Sequence, residues 1–294
     1  MPMNDQPSDD RVLNDLTFRH EAPAADSDDV KRRHTGNRGA WNEVAVHSYR
    51  KDLDERVAFL KAGKSNMHPI EKQNLGDLST WCDTAIHLMC ASGRDTLSLL
   101  NEGVKHVVGI DISDEHIANA RATSEALGVA ATWHACDVLD TPAELDGTAD
   151  LVYTGRGAMC WLHDLDAWAA VVHRLLKPGG VFHVLDDHPF VWLLDPDADK
   201  PVYFDIDYFT HSESSQGWPG SYVGNFIPID QQTRKYERLW TLAAIVNAVA
   251  NTGLRIEHLG EHPEDYWPSM PNWKDEYRGK VPLTFSLLAR KVSG

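Results

Sequence analysis

An α/β fold built on a parallel sheet is what this sequence predicts, and three observations predict it. Short apolar runs alternate with helical stretches from Thr84 to Asp186. The junctions carry turn or capping chemistry, as at Ala91-Ser92-Gly93, at Ser113 and at Lys177-Pro178-Gly179-Gly180. The spacing is that of strands joined by crossover helices, which cover both faces of the sheet.

Taken in order, residues 1–36 are rich in Pro, Asp and Ser around the basic run Lys31-Arg32-Arg33, and read as a flexible N-terminal arm. Residues 37–80 read as a helical segment covering the cleft, anchored by Trp41, Val44, Val57 and Leu60. A second helix there opens at Pro69, since proline suits a first turn. Residues 81–188 form the core, with strands at Thr84–Cys90, His106–Ile112, Ala131–Cys136, Asp150–Thr154 and Val181–Asp186. Helices at 95–101, 114–127 and 164–176 separate them; the second is capped by Ser113, with Asp114 and Glu115 where the helix dipole favours acids. Residues 189–240 break the rhythm with Trp192, Tyr203, Tyr208, Phe209, Trp218 and Tyr222 among Pro, Gly and Asp. They read as an irregular insertion contributing to a binding pocket. Residues 241–294 return to the core with a helix at 242–251 and strands at 254–261 and 282–291.

Composition narrows the function. The 294 residues carry 28 Lys+Arg against 44 Asp+Glu, a formal charge of −16, which disfavours nucleic acid as a partner. Cys82, Cys90, Cys136 and Cys160 form no C-x-x-C pair, so no zinc or iron–sulfur centre is expected. No run reaches 18 apolar residues and the acidic start lacks a leader's basic and apolar regions, so no membrane partner and a cytoplasmic address are expected.

The chemistry concentrates at the carboxyl ends of the strands, where open parallel sheets bind their ligands. Gly93, with the small Ala91 and Ser92, lets backbone approach a ligand in the first strand-to-helix turn. Asp111 ends the second strand 18 residues later, the place from which an acid hydrogen-bonds both hydroxyls of a ribose. Asp137 ends the third strand, suitably for accepting from an exocyclic amine such as adenine N6.

Together the segments IHLMCASG, GIDIS, ACDV, DLVYTGRGAMCWLHD and LLKPGG resemble the class I S-adenosylmethionine-dependent methyltransferases, of the small-molecule, bacterial and natural-product type. The Asn37-x-x-Ala40-Trp41 pattern ahead of them is similar to that family's helical N-terminal segment. The resemblance implies a Rossmann-like, seven-stranded, mostly parallel sheet whose last strand is antiparallel. It implies S-adenosyl-L-methionine as cofactor, with S-adenosyl-L-homocysteine as product. By the same resemblance, Gly93 and the Ala91–Ser92 backbone would face the methionine portion, Asp111 the ribose diol and Ile112 the adenine face. Asp137 and the Val138 amide would meet adenine, and Thr154 and Gly155 the sulfonium and methyl group. The sequence departs from the family at His87, where an acid is usual, and at Met89 and Ala91, where glycines are usual.

The acceptor side is read from position alone. Asp186-Asp187-His188 ends the fifth strand beside the cleft, so His188 is the expected general base, with Asp187 orienting it and His262 next in line. No third acidic ligand stands near Thr154, so no metal is expected. Trp41, Tyr49, Trp161, Tyr208, Tyr266 and Trp267 are the expected acceptor contacts. The alternatives are a non-catalytic S-adenosylmethionine-binding protein and an NAD-type oxidoreductase; the latter would want a G-x-G-x-x-G turn. Oligomeric state is not legible.

Overall fold

The structure, a computed structural model, describes residues 11–13, 16–219 and 227–292. Tyr222 and much of the expected arm lie outside the described residues. The chain runs β1 (Arg11–Leu13), β2 (Leu16–His20), α1 (Ser27–Val44), α2 (Leu53–Lys61), α3 (Pro69–Leu75), β3 (Thr84–Leu88), α4 (Arg94–Asn101), β4 (His106–Asp111) and α5 (Asp114–Leu127). Then come β5 (Thr132–Ala135), β6 (Ala149–Gly155), α6 (Leu165–Leu175), β7 (Leu176–Asp187), β8 (Ser212–Gln216), β9 (Arg234–Arg238), α7 (Leu242–Asn251), β10 (Leu254–His262) and β11 (Thr284–Lys291).

The main sheet has seven strands in the order β10-β11-β7-β6-β3-β4-β5. β11 runs antiparallel to both neighbours and the other pairings are parallel, as expected from the sequence. From β3 the chain builds outward to β4 and later returns to β6 on the opposite side, which opens a crevice at the carboxyl ends of these strands. Below it the core is apolar: Trp168 of α6 is fully buried and meets Phe182 of β7 edge-on at 5.5 Å. Helix α5 starts where its cap predicts, the Ser113 hydroxyl accepting from the His116 amide.

Two expectations about domains are corrected. The arm does not extend to residue 36: α1 begins at Ser27, capped by Asp26, whose carboxylate accepts from the Asp28 and Asp29 amides. Nor is 189–240 irregular throughout, because β8 and β9 form a second sheet with the N-terminal strands in the order β1-β2-β8-β9. Helix α1 lies across β9 at close range. A Cβ on Gly36 would come within 2.9 Å of the Arg234 carbonyl, and one on Gly39 within 2.9 Å of Thr233. Asn37 pairs with β9 as another strand would, donating to the Tyr236 carbonyl at 2.9 Å and accepting from its amide at 2.7 Å. The small sheet and α1 thereby roof the crevice.

Close packing also fixes β4 under the first turn. A Cβ on Gly109 would sit 2.3 Å from the buried Trp133 ring. Gly109→Ala should destabilise the protein by about 1–3 kcal/mol in urea unfolding, the usual range for overpacking. The loss should shrink in a Trp133→Leu background; an equal loss in both backgrounds would contradict this packing argument.

Candidate active site

One cavity of about 960 Å³ lies beneath the roof. That is at the upper end of the usual ~300–1,000 Å³ for ligand pockets, so it can accommodate a nucleotide-sized group and a second molecule together. His87, Ala91, Ser92, Asp111, Ile112, Asp137 and Val138 line one end. Gly155, Asp187, Tyr266, Trp267, Trp161 and Trp218 line the other, with Trp41 and Tyr49 reaching in from the roof.

The first end is organised by Asp111. One carboxylate oxygen accepts from the Ala91 amide and the other from the Ser113 amide, both at 2.8 Å. These bonds tie the β3–α4 turn to the β4–α5 turn. The turn keeps its left-handed geometry without two glycines: Met89 has φ 57° and Ala91 φ 45°. Such conformations cost an L-residue roughly 1–2 kcal/mol each, so surrounding contacts must hold them. Burial pushes the Asp111 carboxyl up to about 6, against the two amide bonds that favour its charged form.

His34 of α1 closes over this end. Its Nδ1 is 2.6 Å from Asp137, and its Nε2 accepts from the His163 amide. Burial raises the Asp137 carboxyl, but the His34 hydrogen bond and charge, the Leu139 amide and the Lys31 charge together hold the group below its ordinary value. His87, in the family's acid position, is buried against Thr96 at 2.8 Å and pushed down to about 4 by burial, so it is neutral.

At the other end Asp186 and Asp187 divide their labour. Asp186 accepts from the backbone amides of Gly157, Ala158, Met159 and Asp187 at 2.7–3.0 Å and from the Tyr266 hydroxyl at 3.1 Å. It thus folds the loop after β6. Asp187 lines the cavity, and its Oδ1 is shut off from solvent without a hydrogen-bond partner. Burial, then repulsion from Asp186, pushes the Asp187 carboxyl up to about 7. Trp41, Trp161 and Trp218 meet one another with ring centroids 4.8–5.8 Å apart, giving the cavity an aromatic wall beneath α1.

Several expected site residues are elsewhere. His188 does not line the cavity: its Nε2 is 2.9 Å from Glu261 and its Nδ1 accepts from the Phe190 amide. The ring is engaged on both nitrogens, capping the turn after β7. His262 is 2.9 Å from Ser286, again off the cavity wall. Both are corrected as catalytic candidates. Thr154 is fully buried, donating to the Leu88 carbonyl, and Tyr208 packs on Phe209. Gly93 has φ 76°, and a Cβ there would lie 2.5 Å from Trp133, so it serves the turn's packing rather than the cavity wall.

Sequence reasoning missed Arg156, which lines the cavity with φ 62° between Gly155 and Gly157. Its guanidinium bonds the fully buried Glu71 at 2.5 Å, and Glu71 in turn accepts from the Tyr153 hydroxyl. The Gly-Arg-Gly at a strand end was the available signal.

Four residues on the cavity wall carry buried polar atoms without a partner: Asp187 Oδ1, His116 Nε2, Arg94 Nε and Arg156 Nε. Buried polar atoms are nearly always paired, so this cavity fits a polar ligand bearing donors and acceptors. A nucleoside amino acid such as S-adenosylmethionine has both, and the glycine-class turn under Asp111 gives it room.

Residues 85–180 match the family described as Methyltransferase domain. An uncharacterised methyltransferase of Synechocystis is 32% identical over 151 residues, 49% of this chain and 66% of that protein. The chain thus spans just under two thirds of that relative. Among solved structures, an S-adenosylmethionine-dependent methyltransferase from Mesorhizobium loti has a TM-score of 0.52 at 19% identity, over 76% of this chain and 96% of its own. Another, from Clostridium acetobutylicum, has a TM-score of 0.54 at 17% identity, over 76% and 89%. These two share the fold.

The raised Asp111 carboxyl has a consequence for stability. Its folded value of about 6 lies above the ordinary carboxyl value, so the folded chain binds the proton more tightly. The associated stability is complete below about pH 4 and is lost as pH rises through about 6. Urea unfolding of Asp111→Asn should accordingly show a flatter decline between pH 4 and pH 7 than the parent; an unchanged slope would contradict the burial argument.

Proposed function

We propose that this chain transfers the methyl group of S-adenosylmethionine to an oxygen, nitrogen or sulfur atom of a small-molecule acceptor in the cytoplasm. The observation that carries the reading is a single cavity lined by Asp111 at one end and by the buried carboxyl of Asp187 at the other. The matched methyltransferase domain spans the β3–β6 part of that cavity. The −16 charge supports a small molecule over a nucleic-acid backbone, and among the described residues no helix is long and apolar enough to cross a membrane.

When bound, S-adenosylmethionine supplies a methyl group on a positively charged sulfur, which leaves as a neutral thioether. The chain's own residues hold the partners in place. Asp111 accepts from the ribose hydroxyls with the lone pairs its amide bonds leave free, and Ile112 and Val138 flank the base. His34 already occupies one oxygen of Asp137, so base recognition there is shared with α1. The aromatic wall excludes water and takes a planar or apolar acceptor. Asp187, raised towards neutrality, takes the acceptor's proton on its carboxylate, the role first expected of His188.

Incubation with methyl-labelled cofactor and a metabolite extract, read by mass spectrometry, should reveal a small molecule heavier by one labelled methyl group. Label retained only on the cofactor would contradict transfer. Asp111→Ala should weaken S-adenosylhomocysteine binding by about 2–4 kcal/mol, through lost charge-assisted hydrogen bonds; unchanged affinity by calorimetry would reject its ribose role.

For Asp187→Asn, turnover should fall about 10²–10⁴-fold with cofactor affinity nearly unchanged. Because the base acts only when ionised, kcat/KM of the parent should rise with pH to a plateau above about 7, and that acidic limb should vanish in the variant. A variant with full turnover and the same profile would remove Asp187 from the chemistry. His188→Ala, off the cavity, should retain the limb.

A further inference from the structure

The roof sheet turns a charged face into the cavity. Phe18 of β2, Ser215 of β8 and Lys235 of β9 stand side by side in the register of the three strands, and Glu237, two residues on, shares their face. Tyr236 between them points the other way, its hydroxyl accepting from Arg32 of α1 at 2.8 Å. Phe18, Lys235 and Glu237 accordingly line the cavity, together with Trp161, Trp192 and Trp218. A lysine is costly to bury unless it is paired, and the Lys235 side chain is only 4% exposed. Its ammonium donates to the Ser215 hydroxyl and to Glu237 Oε2, the latter at 3.2 Å, long for a charged contact. It also lies 5.2 and 5.1 Å from the ring centroids of Phe18 and Trp218, each within cation–π range. Among the described residues, one of its three N–H groups and Glu237 Oε1 are left for a ligand. The pair is also near Asp187. Burial, then the charges of Glu237, Asp186 and Asp187, push the Cys160 thiol up, so this cavity residue is within electrostatic reach of both.

Resting on the methyltransferase reading above, we propose that Lys235 and Glu237 select the methyl acceptor, and that the acceptor is an aromatic amino acid bearing a ring hydroxyl. Its carboxylate is received by Lys235, its ammonium by Glu237, and its ring by the tryptophans. A purely anionic acceptor would meet repulsion from Glu237 and a purely cationic one repulsion from Lys235. A zwitterion meets an opposite charge at each, and replaces one long contact by two matched ones. The planar body takes the place of water against the aromatic wall. At the far end of the ring, the hydroxyl oxygen forms the new bond to the methyl carbon as the sulfur–methyl bond breaks. Its proton goes to Asp187, and the bonding pair goes to the sulfur, which leaves as a neutral thioether.

Calorimetry on the chain saturated with S-adenosylhomocysteine tests the pair without any turnover. Tyrosine carries both charges, tyramine lacks the carboxylate and hydroxyphenylpropionate lacks the ammonium. The parent should bind tyrosine at least about tenfold more tightly than either, because each analogue loses a charge-assisted contact. Glu237→Gln should weaken tyrosine about 10–100-fold and leave hydroxyphenylpropionate unchanged or tighter, since Lys235 is released for its carboxylate. Lys235→Met should weaken tyrosine to a similar degree and leave tyramine unchanged or tighter. Equal losses for all three probes would reduce the pair to scaffolding and overturn the proposal, as would undiminished tyrosine binding in both variants. A parent that binds the three alike, or none of them, would overturn it while leaving the cofactor reading intact. Should S-adenosylhomocysteine itself fail to bind, the methyltransferase reading falls, and the same titrations on the free chain decide the pair. The parent's own preference among the probes keeps the test decisive if a variant fails to fold.

Discussion

The carboxylate of Asp111 is the constraint on which the rest of the site depends. Buried at the end of β4, it has only the Ala91 and Ser113 amides to compensate its desolvation. Those bonds hold two strand-to-helix turns in register, one of them with Met89 and Ala91 in left-handed conformations. If the carboxylate were lost, the turn would have no reason to retain a strained path. The same acid lines the cavity, so the group that shapes the turn is also the one proposed to read the ligand.

A second constraint is the roof. Helix α1 is polar and carries two glycines, which disfavour a helix by about 1 kcal/mol each relative to alanine. It persists because Gly36 and Gly39 let it lie on β9 and because Asn37 completes the edge hydrogen bonding of Tyr236. From there His34 reaches Asp137, Trp41 joins the aromatic wall, and Arg38 pairs with Asp114 at the start of α5. Roof and sheet therefore enclose one cavity.

This explains what could be read from the amino-acid order and what could not. Helices α5 and α7 were legible to the residue because caps, periodicity and turn residues agree there, and the seven-stranded sheet with its antiparallel last strand followed from the family resemblance. The start of α1 was not legible, since a glycine-bearing polar helix shows no apolar stripe. Neither was β8, whose Ser212, Glu213, Ser214 and Ser215 are buried by hydrogen bonding rather than by apolar alternation. That Asp111 and the turn before it would line the crevice was legible because both follow from backbone position. The end at Asp187 was not: successive residues of a strand face opposite ways, and position alone could not tell Asp187 from His188. Only the fold shows that Asp187 lines the cavity and that His188 turns to Glu261.

The central claim is that one cavity takes the nucleoside at Asp111 and presents its sulfur towards Asp187. A crystal structure of the chain with S-adenosylhomocysteine tests it most directly. The ribose hydroxyls should lie within hydrogen-bond distance of the Asp111 carboxylate, with the sulfur between Gly155 and the Asp187 carboxyl. A nucleoside bound outside this cavity, or reversed so that its base abuts Asp187, would contradict the account.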